Sequence, residues 1–323
     1  MKAIRIAKTG GPEVLVLEDV DLAAPARGQV RVKHTAIGVN FIDTYQRSGL
    51  YPVPVPGGLG LEAAGTVEAL GEGVTSLKIG DRVGYCSGPL GAYAEANNVP
   101  ADRLVKLPDG ISDEEAAASM LKGMTAQYLL KRTFPVQRGQ TILFHAAAGG
   151  VGLILCQWAK HLGATVIGTV GSDDKIALAK AHGCDHVLNT RDENWVSRVR
   201  AITKDEGVPV VYDGVGKETW NGSLDCLAVR GMMVSFGNAS GPVPAFEPGI
   251  LSAKGSLYLT RPTLMHYTRT AQELQETADD LFDVIARGVV KIEIHQRFKL
   301  ADARAAHEAL HSRNTTGATI LLP

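Results

Sequence analysis

Residues 141–152 have the sequence TILFHAAAGGVG, and residues 153–160 continue it as LILCQWAK. This run predicts a buried strand that turns on glycines directly into a helix. Ala147, Gly149 and Gly152 reproduce the spacing of a fingerprint that lets the backbone approach a diphosphate, with alanine in its first place. A helix N-terminus favours such an anion because its first N–H groups have no intrahelical partner. The run therefore predicts a dinucleotide-binding turn, and the alternative is a tight turn in an ordinary α/β sheet.

The sequence after this run completes a strand–helix–strand unit. Leu162 and Gly163 end the predicted helix, and residues 165–170 (TVIGTV) predict a second strand. Further strands are predicted at 187–188, 208–212, 231–236 and 256–259, with helices from Asp173, from Asn194 and near Trp220. This alternation is typical of an α/β fold in which a doubly wound parallel sheet carries helices on both faces.

The flanking sequence predicts a second, β-rich domain. Residues 1 to about 120 contain short β-like runs punctuated by glycine and proline, and helical patterns follow at 112–121 and 125–130. The last segment predicts an amphipathic helix at 271–286, a strand at 290–294, a helix from Ala301 and a strand-like tail at 318–322. A chain of 323 residues exceeds what one core usually serves. We therefore expect a domain formed by 1–122 and 263–323, into which a nucleotide-binding domain, 123–262, is inserted.

The composition limits the classes of partner. Charged residues make up 21% of the chain and the formal net charge is -1, so no overall field attracts nucleic acid or an anionic membrane. The four cysteines lack paired spacing, which favours reduced, buried thiols over disulfides or a zinc cluster. Residues 1–6 lack the apolar core of a secretory signal, and His145 and the glycines interrupt the apolar stretch 142–159. We expect a cytoplasmic protein that binds neither nucleic acid nor membrane.

Seven phrases are informative together: GGPEVL at 10–15, GVNFIDTY at 38–45, RSGLYP at 47–52, GLEAAG at 60–65, GDRV at 80–83, HAAAGGVG at 145–152 and VSFG at 234–237. Over nearly the whole chain they resemble the medium-chain dehydrogenase/reductase superfamily, and within it the quinone oxidoreductase branch that includes zeta-crystallin and bacterial NADPH:quinone reductases. The resemblance implies a GroES-like catalytic domain, a Rossmann domain and a homodimer. We expect the dimer to form through the edge strand near residues 257–259.

The positions of catalytic zinc ligands are occupied by other residue types. Zinc-dependent alcohol dehydrogenases of this superfamily hold their metal with cysteine, histidine and cysteine. Asn40 stands at the first cysteine position, and Leu61 precedes Glu62 where those enzymes have histidine. An amide and a leucine side chain cannot replace a thiolate and an imidazole as zinc ligands. We therefore expect no metal, and without a Lewis acid an electrophilic acceptor is easier to reduce than an alcohol is to oxidise.

The resemblance implies catalytic roles for Asn40, Tyr45 and Tyr51, which match positions that line the substrate cleft in the family. Their amide and phenol groups can donate hydrogen bonds to the oxyanion that develops when a quinone or an enone accepts hydride from a nicotinamide. The two tyrosine rings can also stack on a planar acceptor. The alternative is that Asn40 is a turn residue and that the tyrosines only pack around Pro52.

The end of the second strand indicates which nicotinamide cofactor is bound. It is neutral, whereas NAD-binding units place an acidic residue there for the ribose 2′-hydroxyl. Gly171 and Ser172 leave room for a 2′-phosphate and Lys175 can supply a counter-charge, so we expect NADPH. The alternative is that Ser172 caps the helix, Lys175 is solvated and Asp173 or Asp174 binds a 2′-hydroxyl.

The remaining cofactor contacts are expected from the fingerprint and the resemblance together. This chain departs from its close relatives at Thr190, where they have a tyrosine beside the adenine phosphate. The stacking ring is lost, although the charge of the neighbouring Arg191 can compensate for it. The residues expected to bind the cofactor are Tyr128, Gly149, Gly150, Val151, Gly152, Gly171, Ser172, Lys175, Thr190, Phe236, Gly237, Asn238 and Arg313.

The function expected from these observations is NADPH-dependent reduction of quinones through metal-free hydride transfer, with either a hydroquinone or a semiquinone as the product. An alkenal or enone reductase is the nearest alternative within the enzymes. A nucleotide-gated RNA-binding or structural protein is the alternative from another class, but the sequence has no basic stripe with interleaved aromatic residues to support it.

Overall fold

The computed structural model describes residues 1–323, and its strands fall into three sheets. The strands are β1 (Lys2–Ile6), β2 (Val16–Asp19), β3 (Gln29–Val39), β4 (Gly57–Gly58), β5 (Ala63–Leu70), β6 (Arg82–Tyr85), β7 (Ala96–Pro100), β8 (Val105–Lys106), β9 (Thr141–Phe144), β10 (Thr165–Val170), β11 (His186–Asn189), β12 (Val208–Asp213), β13 (Leu227–Ser235), β14 (Tyr258–Thr260), β15 (Ile294–Lys299) and β16 (Ala318–Leu322). The helices are α1 (Phe41–Ser48), α2 (Asp113–Tyr128), α3 (Gly150–His161), α4 (Ile176–Ala181), α5 (Trp195–Ile202), α6 (Trp220–Cys226), α7 (Gly249–Ala253), α8 (Leu264–Tyr267), α9 (Ala271–Ala286) and α10 (Ala303–His311). None of these helices is both long enough and apolar enough to cross a bilayer.

The chain divides into two compact units. Unit 1 comprises Met1–Met124, Tyr267–Ala286 and Ile292–Pro323, and unit 2 comprises Thr125–His266 and Arg287–Lys291. The domain boundaries expected from the sequence, 1–122 with 263–323 and 123–262, stay a prediction.

Unit 1 contains two of the three sheets. The larger has the order β15-β16-β3-β5-β6-β8, with β7 also paired to β3, and the smaller has the order β2-β1-β4. Buried residues alternate with less buried ones in the first part of β3, as at Val30 and Val32, and these two side chains belong with Ile37 to the core of this unit. Strand β16 pairs antiparallel with β3, so the predicted return of the C-terminal tail to the N-terminal part of the chain is confirmed.

Unit 2 contains a six-stranded sheet with the order β11-β10-β9-β12-β13-β14, and all of its neighbouring strands are parallel. The predicted doubly wound parallel sheet is therefore confirmed. The chain moves outward from β9 to β11 and then returns to β12 on the other side of β9. The order thus reverses between β9 and β12, and the carboxyl ends of strands at such a switch point are where ligands bind in folds of this kind.

Two local predictions are wrong. The separate helices predicted at 112–121 and 125–130 are one helix, α2, which runs on through Gly123. A Cβ atom at Gly123 would lie 2.4 Å from Leu281 of α9, so this glycine permits close helix packing and does not end the helix. The strand predicted at 290–294 begins only at Ile294. The Gln157 side chain bonds both the N–H and the carbonyl of Lys291, at 3.0 and 3.1 Å, and takes the place of a neighbouring strand.

A buried polar network secures helix α1 within unit 1. Asp43 Oδ2 accepts hydrogen bonds from the Asn40 backbone N–H at 2.8 Å and from the Tyr93 hydroxyl at 2.9 Å. The Tyr93 oxygen lies 3.0 Å from His307 Nε2, and His307 Nδ1 lies 3.2 Å from the Arg47 guanidinium. Because arginine only donates, His307 Nδ1 accepts and its Nε2–H donates to Tyr93. The network therefore ties both ends of α1 to α10.

The network contains a carboxyl group with an unusual proton affinity. Burial raises the pKa of Asp43 to about 7 because the carboxylate is removed from water, although its hydrogen bonds and the charge of Lys122 oppose this. Asp43 Oδ1 has no hydrogen-bond partner. Burial also lowers the pKa of His307 to about 3 and that of His34 to about 4, so both imidazoles are neutral at physiological pH.

We expect the substitution Asp43→Asn to change how stability depends on pH. The pKa of an aspartate in an unfolded chain is about 3.9, so between these two pKa values the folded wild type binds a proton that the unfolded chain does not. The stabilising effect of this proton is lost as the pH rises from about 4 to about 7. Asparagine does not titrate. The free energy of unfolding of the variant relative to the wild type should therefore increase over this interval, by up to about 4 kcal/mol. Urea unfolding at several pH values measures it.

The exposed Asp109 provides the control, since Asp109→Asn should give a curve parallel to that of the wild type. A difference curve for Asp43→Asn that stays flat between pH 4 and pH 7 would show that Asp43 ionises in the folded protein as it does in the unfolded chain.

Candidate active site

The turn between β9 and α3 brings backbone very close to backbone. A Cβ atom at Gly152 would lie 2.4 Å from the Ala146 carbonyl oxygen and 2.6 Å from that of Ala147, so only glycine fits there. Gly149 is the N-cap of α3, and the first-turn N–H groups belong to Gly150, Val151 and Gly152. As in any helix, these groups have no carbonyl one turn earlier. The turn is therefore able to receive an anion.

The predicted phosphate-binding residues lie at the ends of β10 and β11. Ser172 precedes a short turn that contains Lys175, and Thr190 follows β11 and donates its backbone N–H to the Val170 carbonyl at 2.9 Å. The Ser172 hydroxyl lowers the pKa of Asp174 most, and the charges of Lys175 and Arg191 lower it further. Both cations therefore lie near one exposed position.

A Cβ atom at Gly171 would meet nothing within 4 Å, so the space beside this strand end is open. Asp173 Oδ1 accepts a hydrogen bond from Asn189 Nδ2 at 2.9 Å, which ties one oxygen of this carboxylate to the end of β11. The open space at Gly171 and the nearby charges of Lys175 and Arg191 favour a 2′-phosphate over a 2′-hydroxyl at this place.

Phe236, Gly237 and Asn238 follow β13 directly. The Phe236 N–H donates to the Asp213 carbonyl at 2.8 Å, and its ring lies 5.9 Å from the ring of Phe144, the last residue of β9. Tyr128 is the last residue of α2 and is buried. Unit 2 thus contains every predicted cofactor residue except Arg313, which belongs to unit 1 and is exposed after α10.

Asn40, the first predicted catalytic residue, is the N-cap of α1 and is oriented by a buried carboxylate. Its Nδ2 donates to Glu62 Oε2 at 2.8 Å, and the Lys122 ammonium lies 3.4 Å from the same oxygen. Glu62 Oε1 accepts the backbone N–H of Leu121 at 2.6 Å. A carboxylate only accepts hydrogen bonds, so the nitrogen of the Asn40 amide must face it. One N–H of that amide is therefore used by Glu62, and the other is available for a further acceptor.

Tyr45 and Tyr51 lie together in unit 1. Their ring centroids are 5.2 Å apart with an angle of 65° between the planes, and the Tyr51 N–H donates to the Tyr45 carbonyl at 3.1 Å. Tyr45 is only 9% exposed, whereas Tyr51 is partly exposed. The edge of one ring thus packs on the face of the other, so a planar acceptor has more of the Tyr51 surface available than of the Tyr45 surface.

Sequence reasoning missed Lys122 and the buried residues that support the glycine turn. Lys122 is the one cation among the apolar and small residues of 116–126. A single charge in such a stretch indicates that the side chain has a buried partner, and this was the feature that could have identified it. Its partner Glu62 lies sixty positions away, so the pairing itself could not be found from spacing.

The residues that could ligate a metal are dispersed. Leu61 and Asn40 are both buried, and no group of three or more histidine, cysteine, aspartate or glutamate side chains is arranged to hold a metal ion. All four cysteines are buried free thiols.

Two family models match the chain. The one described as "Alcohol dehydrogenase GroES-like domain" matches residues 26–109, and the one described as "Zinc-binding dehydrogenase" matches residues 150–285. The first match lies in unit 1, and the second begins at the first residue of α3 and covers most of unit 2.

Several characterised proteins are similar to this chain over its full length. A quinone oxidoreductase of Pseudomonas aeruginosa is 58% identical, over 100% of this chain and 99% of its own length. The crystal structure of Escherichia coli quinone oxidoreductase complexed with NADPH is 52% identical, covers 100% of both chains and has a TM-score of 0.99. A 2-haloacrylate reductase of a Burkholderia species is 46% identical over 98% of both proteins. By this similarity the chain belongs to the quinone oxidoreductase family of the medium-chain dehydrogenase/reductase superfamily.

Proposed function

We propose that this protein is an NADPH-dependent quinone reductase. The observation that carries the proposal is the turn from β9 into α3, where Gly152 brings the helix N-terminus against the strand end and leaves its first N–H groups for a diphosphate. The relatives named quinone oxidoreductase, one of them solved with NADPH, support the same conclusion.

The residues of unit 2 fit a dinucleotide. Gly150 and Val151 would hold its diphosphate by their N–H groups, and Ser172, Lys175 and Arg191 would surround its 2′-phosphate. The open space at Gly171 agrees with a bulky group there. When bound, NADPH supplies a hydride from its nicotinamide ring.

Asn40, Tyr45 and Tyr51 would bind the acceptor. The free N–H of the Asn40 amide donates to the carbonyl oxygen that becomes negative, and Glu62 with Lys122 fixes the amide in this orientation. Tyr51 provides an aromatic surface for a flat ring. Since the Asn40 and Leu61 side chains cannot ligate zinc, we propose that hydrogen-bond donors stabilise this oxygen and that no metal takes part.

A screen of acceptors tests the proposed reaction. NADPH oxidation should be fast with ortho- or para-quinones as acceptors. In the reverse direction, simple alcohols should not reduce NADP⁺, because no metal lowers the pKa of a hydroxyl. Purified protein should contain no stoichiometric zinc. Activity confined to alcohols, or zinc in a one-to-one ratio, would contradict the proposal.

The same assay tests the role of Asn40. Asn40→Ala should lower kcat for a quinone by about a hundredfold, the effect of removing one donor from an oxyanion site. Asn98, an amide on β7 that donates to the Ala23 carbonyl, gives the matched control, and Asn98→Ala should leave kcat unchanged. Equal kcat values in both variants would show that Asn40 does not take part in the reaction.

A second candidate reaction is reduction of an activated carbon–carbon double bond. The observation that favours it is the 46% identity to a 2-haloacrylate reductase. Enones and haloacrylates therefore belong in the acceptor screen, and a higher kcat/KM for these than for quinones would select this alternative.

We propose that Lys175 determines the preference for NADPH. Lys175→Ala should raise KM for NADPH about tenfold and leave KM for NADH unchanged, because a charged hydrogen bond to the 2′-phosphate is lost. Lys180, exposed on α4, is the matched control. If the ratio of the two KM values is the same in wild type, Lys175→Ala and Lys180→Ala, Lys175 does not bind the phosphate.

We also propose a homodimer formed through β14. This strand pairs only with β13, and Tyr258 on it is 60% exposed. Sedimentation should give twice the mass of the chain, and Tyr258→Lys should shift the protein to monomer. Val16→Lys on β2, another edge strand, should not. A monomeric wild type contradicts this proposal.

We further propose that the protein is cytoplasmic, since its four free buried thiols suit a reducing compartment. Recovery of the protein from an exported cell fraction would contradict this location.

A further inference from the structure

A line of buried side chains runs beneath the glycine turn in unit 2. His145 Nδ1 lies 2.8 Å from the Thr169 hydroxyl, and His145 Nε2 lies 2.9 Å from the Ser223 hydroxyl. Ser223 in turn bonds Asp213 Oδ2 at 2.8 Å. All four residues are at most 1% exposed. We call Thr169, His145, Ser223 and Asp213 the relay.

The chemistry of these groups fixes the direction of every hydrogen bond in the relay. The Ser223 hydroxyl donates to the carboxylate of Asp213, because a carboxylate only accepts. The Ser223 oxygen therefore accepts from His145 Nε2–H, and His145 Nδ1 accepts from the Thr169 hydroxyl. Burial lowers the pKa of His145, which keeps the imidazole neutral as this pattern requires. The Trp195 ring packs edge-on at 5.4 Å and closes one side of the imidazole.

His145 adjoins a strained point of the backbone. Ala146 has φ of 58°, a left-handed conformation that residues other than glycine seldom adopt. The strain is held from both sides, since the His145 N–H donates to the Tyr212 carbonyl at 3.0 Å and the Ala147 N–H donates to the Thr169 carbonyl at 2.8 Å. Ala146 also directs its carbonyl to the Gly149 N–H at 2.9 Å, which shapes the turn into α3. Such strain persists only where the surrounding structure imposes it.

The other members of the relay reach the remaining loops of the proposed cofactor site. Thr169 is two residues before Gly171 on β10. Asp213 Oδ1 accepts the N–H groups of Val215 and Gly216 at 2.8 and 2.9 Å and so shapes the loop after β12. The Phe236 N–H donates to the Asp213 carbonyl. One network therefore connects the ends of β9, β10, β12 and β13.

We propose that the relay is a positioning device which holds the Ala146 turn and the neighbouring loops in the conformation that binds NADPH. The inference rests on the proposed function, because it assigns the cofactor to this turn. Thr169, His145, Ser223 and Asp213 are positioning residues, since all are buried and act through the loops that they hold.

A positioning role of this kind has a kinetic signature. If the relay is cut, the competent conformation becomes a minor one in the free protein, and the apparent Kd rises by the inverse of its population. Saturating NADPH restores that population. The KM for NADPH therefore increases, whereas kcat at saturation does not change.

Isosteric variants test the inference. Thr169→Val removes the hydroxyl that His145 accepts from, and Ser223→Ala removes the link to Asp213. Each should raise the Kd and the KM for NADPH about tenfold, the effect expected for one lost hydrogen bond, with kcat within about twofold of wild type. Thr169→Ser keeps the hydroxyl and should restore the affinity. Thr165→Val, at the other end of β10, is the control and should bind as the wild type does.

A second substitution tests the link to the strained residue. In the Thr169→Val background, Ala146→Gly should recover part of the lost affinity, because glycine adopts a positive φ without the steric cost. No recovery would contradict the assignment to the Ala146 turn.

The outcomes separate this inference from the proposed function. If the wild type does not bind NADPH, the proposed function fails and the inference fails with it. If the wild type binds NADPH and both Thr169→Val and Ser223→Ala bind it equally well, only the inference is overturned. Lower melting temperatures with unchanged Kd values would likewise overturn it, because they indicate a purely structural role. Ser223→Ala decides the matter if Thr169→Val does not fold.

Discussion

The close approach of α3 to the end of β9 is the constraint on which the site depends. Gly152 has no side chain, and even one methyl group there would lie 2.4 Å from the Ala146 carbonyl oxygen. Because glycine allows this approach, α3 begins six residues after the end of β9. The N-terminus of the helix therefore lies at the place where the strand order reverses. A wider turn would move the helix N-terminus away from the ends of β10 and β12, and the residues that we propose to bind phosphate would no longer lie together.

Buried polar groups hold the functional segments of each unit in place. In unit 1, Glu62 and Lys122 orient the amide of Asn40, and Asp43 connects the start of the same helix to Tyr93 and His307. In unit 2, the relay holds the loops around the glycine turn. Buried polar groups need partners, and hydrogen bonds between particular donors and acceptors permit one arrangement where an apolar core would permit several. Both units thus use the same physical means to fix the positions of residues that we propose to bind a ligand.

The parts of the fold that depend on local sequence were predictable. The apolar run followed by small residues at 141–152 indicates β9, its turn and α3, and the 3.6-residue period of 271–286 gives α9 with its observed bounds. Predictions failed where a distant side chain decides the local structure. Gln157 occupies the backbone groups of Lys291 and delays β15, and Leu281 packs on Gly123, so that α2 continues. The pairing of Asn40 with Glu62 and Lys122 was hidden for the same reason, since nothing in the spacing of these residues records their contact.

The most direct test of this account is a crystal structure of the protein with NADPH bound. The account predicts the diphosphate on the N–H groups of Gly150 and Val151, the 2′-phosphate beside Ser172 and Lys175, and Ala146 still at a positive φ. A diphosphate bound elsewhere, with the turn between β9 and α3 in contact only with protein, would contradict it.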